Sequence, residues 1–212
     1  MSWRHHGHGR GRAGYHHGNL REALIEAALA LIPESGPLGF TFAEAARQAG
    51  VSPAAPYHHF KDKTELLEAV AHEGWDLLDA ALAKAKAEAP SPGEALNGLG
   101  VAYVCFARDN PALYRVMYDT ARDREDLPDQ MHEEGDSAYC KVRDTMVEAG
   151  ADPEDTLDIE LATTAAWCSA HGLAEMAGFK QFAHLKEACG GEVEFFRAIF
   201  QHMGLAPRAH HD

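Results

Sequence analysis

A short segment of the chain combines side chains that can hydrogen-bond to DNA with side chains that can pack against it. Tyr57, His58 and His59 stand together, two alanines lie just before them, and Lys63 follows. Phenol and imidazole groups can donate to phosphate oxygens or base edges, and small apolar groups can touch thymine methyl groups. A lysine at this spacing can neutralise a phosphate. The segment therefore predicts contact with double-stranded DNA.

A second group of residues with chemical potential is a set of histidines near the N-terminus. Imidazole binds borderline metals such as Ni, Cu or Zn. The histidines alternate with Gly and Arg, and no compact set of Cys, His and carboxylate ligands at fixed spacing accompanies them. We expect no structured metal site and no cofactor, but a metal-responsive or metal-binding helical protein stays open as the alternative function. The histidines concerned are His5, His6, His8, His16 and His17.

The acidic net charge of −14 hides an asymmetry between two parts of the chain. Residues 1–63 hold seven Lys and Arg against five Asp and Glu, whereas residues 64–212 hold twelve against twenty-eight, so the formal charges are +2 and −16. The first 21 residues contain four arginines and no acid. A basic end on an acidic body is expected when one end of a protein meets phosphate.

Composition and motifs exclude several classes of protein. No apolar run reaches the roughly 18 residues that a membrane span requires, and the basic N-terminus lacks the apolar stretch of a signal peptide. The four cysteines show no C-x-x-C spacing, which is typical of reduced thiols in a cytoplasmic protein. No nucleophile elbow, P-loop or dinucleotide-binding fingerprint is present. We therefore expect a cytoplasmic protein that is not an enzyme and has no membrane partner.

The elements that must position the DNA-facing residues are helices, and the predicted fold is all-α. Strand patterns are nearly absent, whereas signals for helix ends are dense. Asn19 and Glu22 form a capping box at the start of the first helix. Thr41 and Glu44 form another at the start of a short second helix, which ends at Gly50.

A third helix is predicted to begin at Ser52, with Pro53 at its first position. Two short helices joined by a tight glycine turn, behind a longer support helix, form a helix-turn-helix whose last helix enters the major groove. Pro56 lacks an N–H and crowds the carbonyl of Ser52, so we expect a tightened or tilted first turn. The predicted DNA-binding residues are Thr41, Arg47, Ser52, Pro53, Ala54, Ala55, Tyr57, His58, His59 and Lys63.

The run Gly50-Val51-Ser52, followed after four residues by Tyr57-His58-His59-Phe60 and then by Lys63 and Leu66-Leu67, resembles the signature of the TetR family. The segment Thr41–Ala46 is similar to the second helix of that family. The resemblance covers about residues 19–67 and implies a sequence-specific transcriptional regulator, a repressor that a small-molecule effector releases from a palindromic operator. It also implies phosphate contacts from Tyr57 and Lys63, base contacts near Ala54 and Ala55, and a supporting role for His59.

The resemblance also divides the chain into parts. We predict a flexible basic arm at 1–18, a helix-turn-helix domain at 19–66, and an effector-binding and dimerisation domain at 67–212. Tyr15–Arg21, together with Trp167 and His171-Gly172-Leu173, is similar to the TetR subgroup with a WHG-type C-terminal domain. The fourth predicted helix, about 62–89, crosses the boundary near residue 66 and is our candidate for transmitting a signal between the two domains.

Further helices are predicted in the body at about 93–109, 111–122, 134–149, 153–178 and 191–203. Pockets between helices of a bundle are frequent, so aromatic and Met side chains in these helices could line an effector site or simply form the core. The predicted effector-binding residues are Tyr103, Phe106, Tyr114, Met117, Tyr118, Trp167 and His171.

The last two long helices carry apolar stripes, and small residues on the first would allow close approach. We predict that two copies of this pair form a four-helix homodimer interface. Two heads related by a two-fold axis would then read half-sites about one DNA turn, ~34–36 Å, apart. The predicted interface residues are Ile159, Ala162, Ala166, Leu173, Val193, Phe196, Phe200 and Met203.

Overall fold

The computed structural model describes residues 20–36, 39–122 and 137–204, and the regular elements of these ranges are helical, which confirms the all-α prediction. The predicted arm, with its five histidines, and the cap residue Asn19 lie outside these ranges. The α-helices are α1 (Leu20–Ser35), α2 (Phe42–Gln48), α3 (Lys63–Glu88), α4 (Pro92–Asp109), α5 (Pro111–Arg122), α6 (Ala138–Glu148), α7 (Thr156–Met176), α8 (Ala183–Ala188) and α9 (Glu192–Met203). Two 3₁₀ helices cover Ala55–His58 and Lys180–Phe182. Across the ranges that the model describes, no helix combines the length and apolar character needed to cross a bilayer.

Side-chain caps set the starts of five helices, because each cap satisfies a backbone N–H that has no partner inside the helix. In each case the side chain of the cap residue accepts a hydrogen bond from the N–H three residues later. Since Asp155 caps α7, that helix begins three residues later than the predicted residue 153. The cap residues are Thr41, Asp62, Ser91, Ser137 and Asp155.

The first two helices and the 3₁₀ helix that follows them pack around a small apolar core with the start of α3. Ala45 and Ala46 are fully buried, which allows α2 to pack closely, and Leu24 of α1 is fully buried as well. Phe60 is buried between the 3₁₀ helix and α3, and the guanidinium of Arg21 lies 5.4 Å from the centre of its ring.

The prediction of an α-helix from Ser52 is wrong, and Pro56 explains why. The N–H of Ala55 donates to the carbonyl of Ser52 at 3.0 Å, which is a 3₁₀-type bond. Pro56 has no N–H with which to make the next bond, so the α-helical ladder cannot continue. The N–H groups of His59 and Phe60 instead both donate to the carbonyl of Pro56 at 2.9 Å. The segment is therefore a 3₁₀ turn rather than a full recognition helix.

The body is a bundle in which α3 and α4 run through the centre. α3 packs against α4 and α5, and α4 packs against α7 and α9. Two glycines make the closest approaches. A Cβ at Gly74 of α3 would lie 2.6 Å from the Sδ of Met117 on α5, and one at Gly100 of α4 would lie 2.6 Å from the ring of Phe200 on α9. α3 is one continuous helix across the predicted domain boundary.

The apolar stripe of α7 that was assigned to a dimer interface faces inward in the single chain. Ile159, Ala166 and Leu173 are buried because this side of α7 packs against α4 and α6. On α9, Phe196 and Phe200 are fully buried, and Phe200 covers Gly100. These five side chains belong to the core of one chain, so the structure does not support them as interface residues. Of the other predicted interface residues, Ala162 is half-buried, and Val193 and Met203 are exposed.

Candidate functional site

The N-terminus of α2 is closed by its own capping box. The N–H of Thr41 donates to Glu44 Oε2 at 2.7 Å, and the N–H of Glu44 donates back to the Thr41 hydroxyl at 3.2 Å. The Thr41 hydroxyl also donates to Glu44 Oε2 at 2.9 Å. These hydrogen bonds, the one from the Thr41 backbone first, lower the pKa of Glu44. The carboxylate is charged at neutral pH and is hydrogen-bonded to the Thr41 hydroxyl, so a phosphate would have to compete with it for that hydroxyl.

The turn and the 3₁₀ helix present most of the predicted DNA-binding residues to solvent. Gly50 takes a φ of +73°, which ends α2 and reverses the chain as the sequence predicts. Ala55 and Lys63 are half-buried. The predicted DNA-binding side chains that are exposed are Thr41, Arg47, Ser52, Pro53, Ala54, Tyr57, His58 and His59.

Tyr57 is the large side chain at the centre of this surface. The Tyr57 side chain is 62% exposed. Its ring packs edge to face against the ring of Phe42, with the ring centres 4.9 Å apart. Since Phe42 is buried at the start of α2, the contact holds the Tyr57 ring in place. A phenol positioned in this way can donate to a phosphate or base edge with little loss of side-chain entropy.

Lys63 has a structural partner within the same domain. Its Nζ donates to the carbonyl of Phe40 at 2.6 Å and lies 4.3 Å from the centre of the Phe40 ring. Partial burial lowers the pKa of Lys63, and the charge of Glu44 opposes this shift. The ammonium group therefore ties the first turn of α3 to the loop before α2, a role that the sequence did not indicate.

The body contains a small apolar cavity between α3, α4, α6 and α7. Its volume is about 20 Å³, roughly the space of one water molecule. A drug-sized ligand requires ~300–1,000 Å³, so the walls must move apart for one to bind. The cavity is lined by Leu82, Leu96, Leu99, Gly100, Tyr103, Val142, Ala166, Trp167 and Ala170.

A network of three phenols and one imidazole closes one end of this cavity. The Tyr103 hydroxyl is hydrogen-bonded to that of Tyr118, and the Tyr114 hydroxyl lies 2.7 Å from Nδ1 of His171. Tyr103 donates to Tyr114 over 3.5 Å and also lies 3.2 Å from the same imidazole nitrogen. Trp167 packs edge to face against Tyr103, and both side chains line the cavity. The polar network therefore lies directly beside the cavity.

Burial raises the pKa values of the three phenols, which are already protonated at neutral pH. Removing a charged group from water is costly, so burial raises the pKa of Tyr114 to about 12 and raises the pKa values of Tyr103 and Tyr118 further still. The nearby charge of Glu175 adds to the rise at Tyr114. The network therefore offers neutral O–H donors rather than phenolates.

The structure brings together most, but not all, of the residues predicted for an effector site. Tyr103, Tyr114, Tyr118, Trp167 and His171 form one cluster. By contrast, Phe106 belongs to the general apolar core, and Met117 packs on α3 through Gly74.

Sequence reasoning missed two aromatic residues of the cluster. Trp75 stacks on Trp167 at 6.4 Å, and Tyr139 lies 5.9 Å from the same ring. A signal for Trp75 was present, because it lies three residues before Leu78 and seven before Leu82 on one face of α3. The same spacing marked Tyr139, which lies three residues before Val142 and seven before Met146 on α6.

The described ranges contain no candidate metal site. No group of three or more His, Cys, Asp or Glu side chains that could hold a metal ion occurs there. The histidines on which the alternative function rests lie outside those ranges, so no observation favours that function.

Comparisons with known proteins define the class to which this architecture belongs. Residues 24–70 match the family model described as bacterial regulatory proteins, tetR family, and residues 96–203 match one described as tetracyclin repressor-like, C-terminal domain. The chain belongs to the TetR family. The second model does not name a WHG-type subgroup, so that assignment stays a prediction.

Two curated relatives are named as helix-turn-helix (HTH) type transcription regulators. The HTH-type transcriptional regulator BetI of Rhizobium meliloti is 38% identical over 111 residues, which are 50% of this chain and 54% of the relative. The HTH-type transcriptional repressor KstR2 of Mycolicibacterium smegmatis is 30% identical over 108 residues, 51% of this chain and 53% of the relative. The chain thus spans about half the length of the curated relatives it matches.

Solved structures match over nearly the whole chain. A protein of unknown function from Rhodococcus sp. RHA1 superposes with a TM-score of 0.71 and 29% identity, covering 91% of this chain and 97% of that one. A bacterial regulatory protein in the tetR family from Rhodococcus RHA1 superposes with a TM-score of 0.64 at 21% identity, covering 89% and 96%. At that identity the second match shows the fold alone.

Proposed function

We propose that the protein is a homodimeric repressor that binds a palindromic operator and leaves it when a small molecule binds in the body. One observation carries the proposal: a glycine turn and a 3₁₀ helix present Tyr57 and its neighbours on the exposed side of an intact three-element head. Matches to the family models of both domains support it. The repressor named among the relatives has this type of head.

The proposed DNA surface comprises the exposed end of α2 and the turn that follows it. Arg47 lies in the last turn of α2 and is exposed, so its guanidinium can reach a phosphate. Because the recognition element is only a 3₁₀ turn, fewer side chains can enter the major groove than a longer helix would allow. We therefore expect Ser52, Pro53 and Ala54 to make the closest contacts with bases, and Tyr57 to fix the head on the backbone.

The proposed dimer interface uses the exposed side of α7 in place of the buried stripe. Leu157, Leu161, Cys168 and Met176 recur at helical spacing along this side, and the two leucines are 69% and 61% exposed. Leaving such a row of apolar side chains in water is unfavourable, and a second copy would cover it by two-fold symmetry. Val193 and Met203 of α9 stay in the proposal because they are exposed.

Release by the effector follows from linkage between the two sites. An effector that must widen the cavity pushes on Leu82 of α3, and α3 begins beside the DNA surface. If one head spacing fits the operator and the widened body favours another, the effector weakens DNA binding by the same factor as DNA weakens effector binding.

The Tyr57→Phe variant tests the DNA surface. It keeps the ring contact with Phe42 and removes only the hydroxyl, so the head should fold unchanged. DNA affinity of the dimer should fall by about thirtyfold, the value of one hydrogen bond from each of its two heads. Operator and random DNA should weaken alike, because a backbone contact carries no sequence information. Fluorescence anisotropy with Tyr139→Phe as the control measures this, and equal affinity of the Tyr57→Phe variant and the unmodified chain would contradict the docking.

A further inference from the structure

The cavity in the body is apolar on all sides except one. Its aliphatic walls come from four helices: Leu82 on α3, Leu96 and Leu99 on α4, Val142 on α6, and Ala166 on α7. No charged side chain is among its lining residues. A ligand that fills and widens this space must therefore present a hydrocarbon body, because burial of a charge against these walls would go uncompensated.

The polar end of the cavity holds one donor that is poorly satisfied. All three phenol O–H groups find an acceptor when Tyr118 donates to Tyr103, Tyr103 to Tyr114, and Tyr114 to Nδ1 of His171. The middle bond is 3.5 Å long, beyond the usual range for two oxygens. The other acceptor near Tyr103 is the same Nδ1, at 3.2 Å, which already receives the shorter bond from Tyr114. The Tyr103 O–H is thus the donor that is most easily redirected.

Tyr103 is also the member of the network that lines the cavity. A ligand oxygen placed in the cavity could accept the Tyr103 O–H while the other hydrogen bonds of the network stay in place. One acceptor oxygen is sufficient, since the remaining two phenols keep their partners.

The charge around the network disfavours an anionic head group. Within the part of the chain that the structure describes, the three phenols are hydrogen-bonded to one another and to His171, and none of these partners is a Lys or Arg. The carboxylate of Glu175 acts on Tyr114 from nearby. A carboxylate ligand would enter this negative field with a single hydrogen bond to replace its hydration.

We propose that the effector is an uncharged, mainly hydrocarbon molecule with one carbonyl-type oxygen, such as a ketone or ester, which accepts a hydrogen bond from Tyr103. This inference rests on the proposed function of the body as an effector site. It specifies the class of ligand and the residue that hydrogen-bonds to it.

Four probes with one skeleton test the head group directly: cyclohexyl methyl ketone, cyclohexanecarboxylate, cyclohexyltrimethylammonium and methylcyclohexane. Titration uses the full chain with Trp3→Phe, so that tryptophan fluorescence comes only from Trp75 and Trp167, which stack on each other in the cluster. The ketone should bind at least tenfold more tightly than the carboxylate and the ammonium ion. It should also exceed the hydrocarbon by about fivefold to tenfold, the value of one hydrogen bond.

Tyr103→Phe in the same background should lower ketone affinity to that of the hydrocarbon and leave hydrocarbon affinity unchanged. Tyr139→Phe is the matched control, because its hydroxyl bonds to Glu160 and Thr164 rather than to the network, and it should retain ketone affinity. Tightest binding of the carboxylate or the ammonium ion, no binding of any probe at millimolar concentration, or an unchanged ketone preference in Tyr103→Phe would overturn the proposal.

The same preparation separates this inference from the proposed function. Ketone binding without recovery of any specific DNA would leave the ligand class intact and remove the repressor proposal. Specific DNA binding that is released by the carboxylate or the ammonium ion, with no response to the ketone, would keep the repressor and reject the ligand class.

Discussion

Replacing Gly74 with alanine is expected to destabilise the unmodified chain but to stabilise a chain that already carries Met117→Ala. A Cβ at position 74 would lie 2.6 Å from Sδ and 2.7 Å from Cγ of Met117, and 3.0 Å from Cδ1 of Leu113. Met117 is fully buried, so its side chain has little room to retreat. Overpacking of this kind costs about 1–3 kcal/mol, whereas exchanging Gly for Ala inside a helix gains about 1 kcal/mol.

The net effect of Gly74→Ala in the unmodified chain is therefore a loss of about 0–2 kcal/mol in the free energy of unfolding. Met117→Ala alone should cost about 2–5 kcal/mol, because it empties part of the core. In that background the new methyl group meets no sulfur, so Gly74→Ala should recover about 1 kcal/mol. The two substitutions should thus be coupled by about 1–3 kcal/mol.

Urea denaturation of the four chains measures this coupling through the midpoints and slopes. Gly98→Ala is a matched control: it is another helical glycine, but its Cβ would be 3.7 Å from the nearest atom, the carbonyl of Ala85. It should stabilise both backgrounds by about 1 kcal/mol. If Gly74→Ala had the same effect with and without Met117, α3 and α5 would not be in the close contact described above.

Three further perturbations address the head and the proposed interface. Lys63→Met should lower the free energy of unfolding by about 1–3 kcal/mol through loss of its charged hydrogen bond, whereas the exposed Lys61→Met should be neutral in urea denaturation. If the chain forms the proposed dimer, Leu161→Glu should convert it to a monomer in sedimentation velocity. Leu77→Glu is the control, because Leu77 is 46% exposed but lies on α3, and this variant should stay dimeric. Because the pKa of Glu44 lies below its ordinary 4.5, its contribution should be complete above about pH 4.5 and lost as the pH falls through the lowered pKa. Glu44→Gln should remove this part of the acid dependence of stability, and an identical pH profile would refute the cap.

Local chemistry made much of the fold predictable. Thr41, Asp62 and Gly50 act through neighbours within a few residues, so their effects on α2, α3 and the turn can be derived without knowing the tertiary structure. Pro56 also gave its signal, but the sequence could not show whether the proline would tilt an α-helix or replace it. The structure has the second outcome, since the next bonds go to the Pro56 carbonyl.

Features that depend on distant residues were less accessible. The predicted helical spacing of the apolar residues on α7 is correct. Spacing alone, however, does not show whether these residues face the core of their own chain or a second copy of the protein. Ile159 faces the core, and Leu161 two residues later faces solvent. The hydrogen bond between Tyr114 and His171 joins positions 57 apart, so no local pattern could predict it.

Selection of fragmented DNA from the source genome with the purified protein, followed by fluorescence anisotropy at two salt concentrations, tests the central claim most directly. A repressor with two heads predicts recovery of one inverted repeat with half-sites about one DNA turn, ~34–36 Å, apart. Its affinity for this repeat should exceed its affinity for random DNA by ~10³-fold or more at the same salt concentration. Recovery of no common sequence, or uniform binding that salt abolishes, would contradict the account.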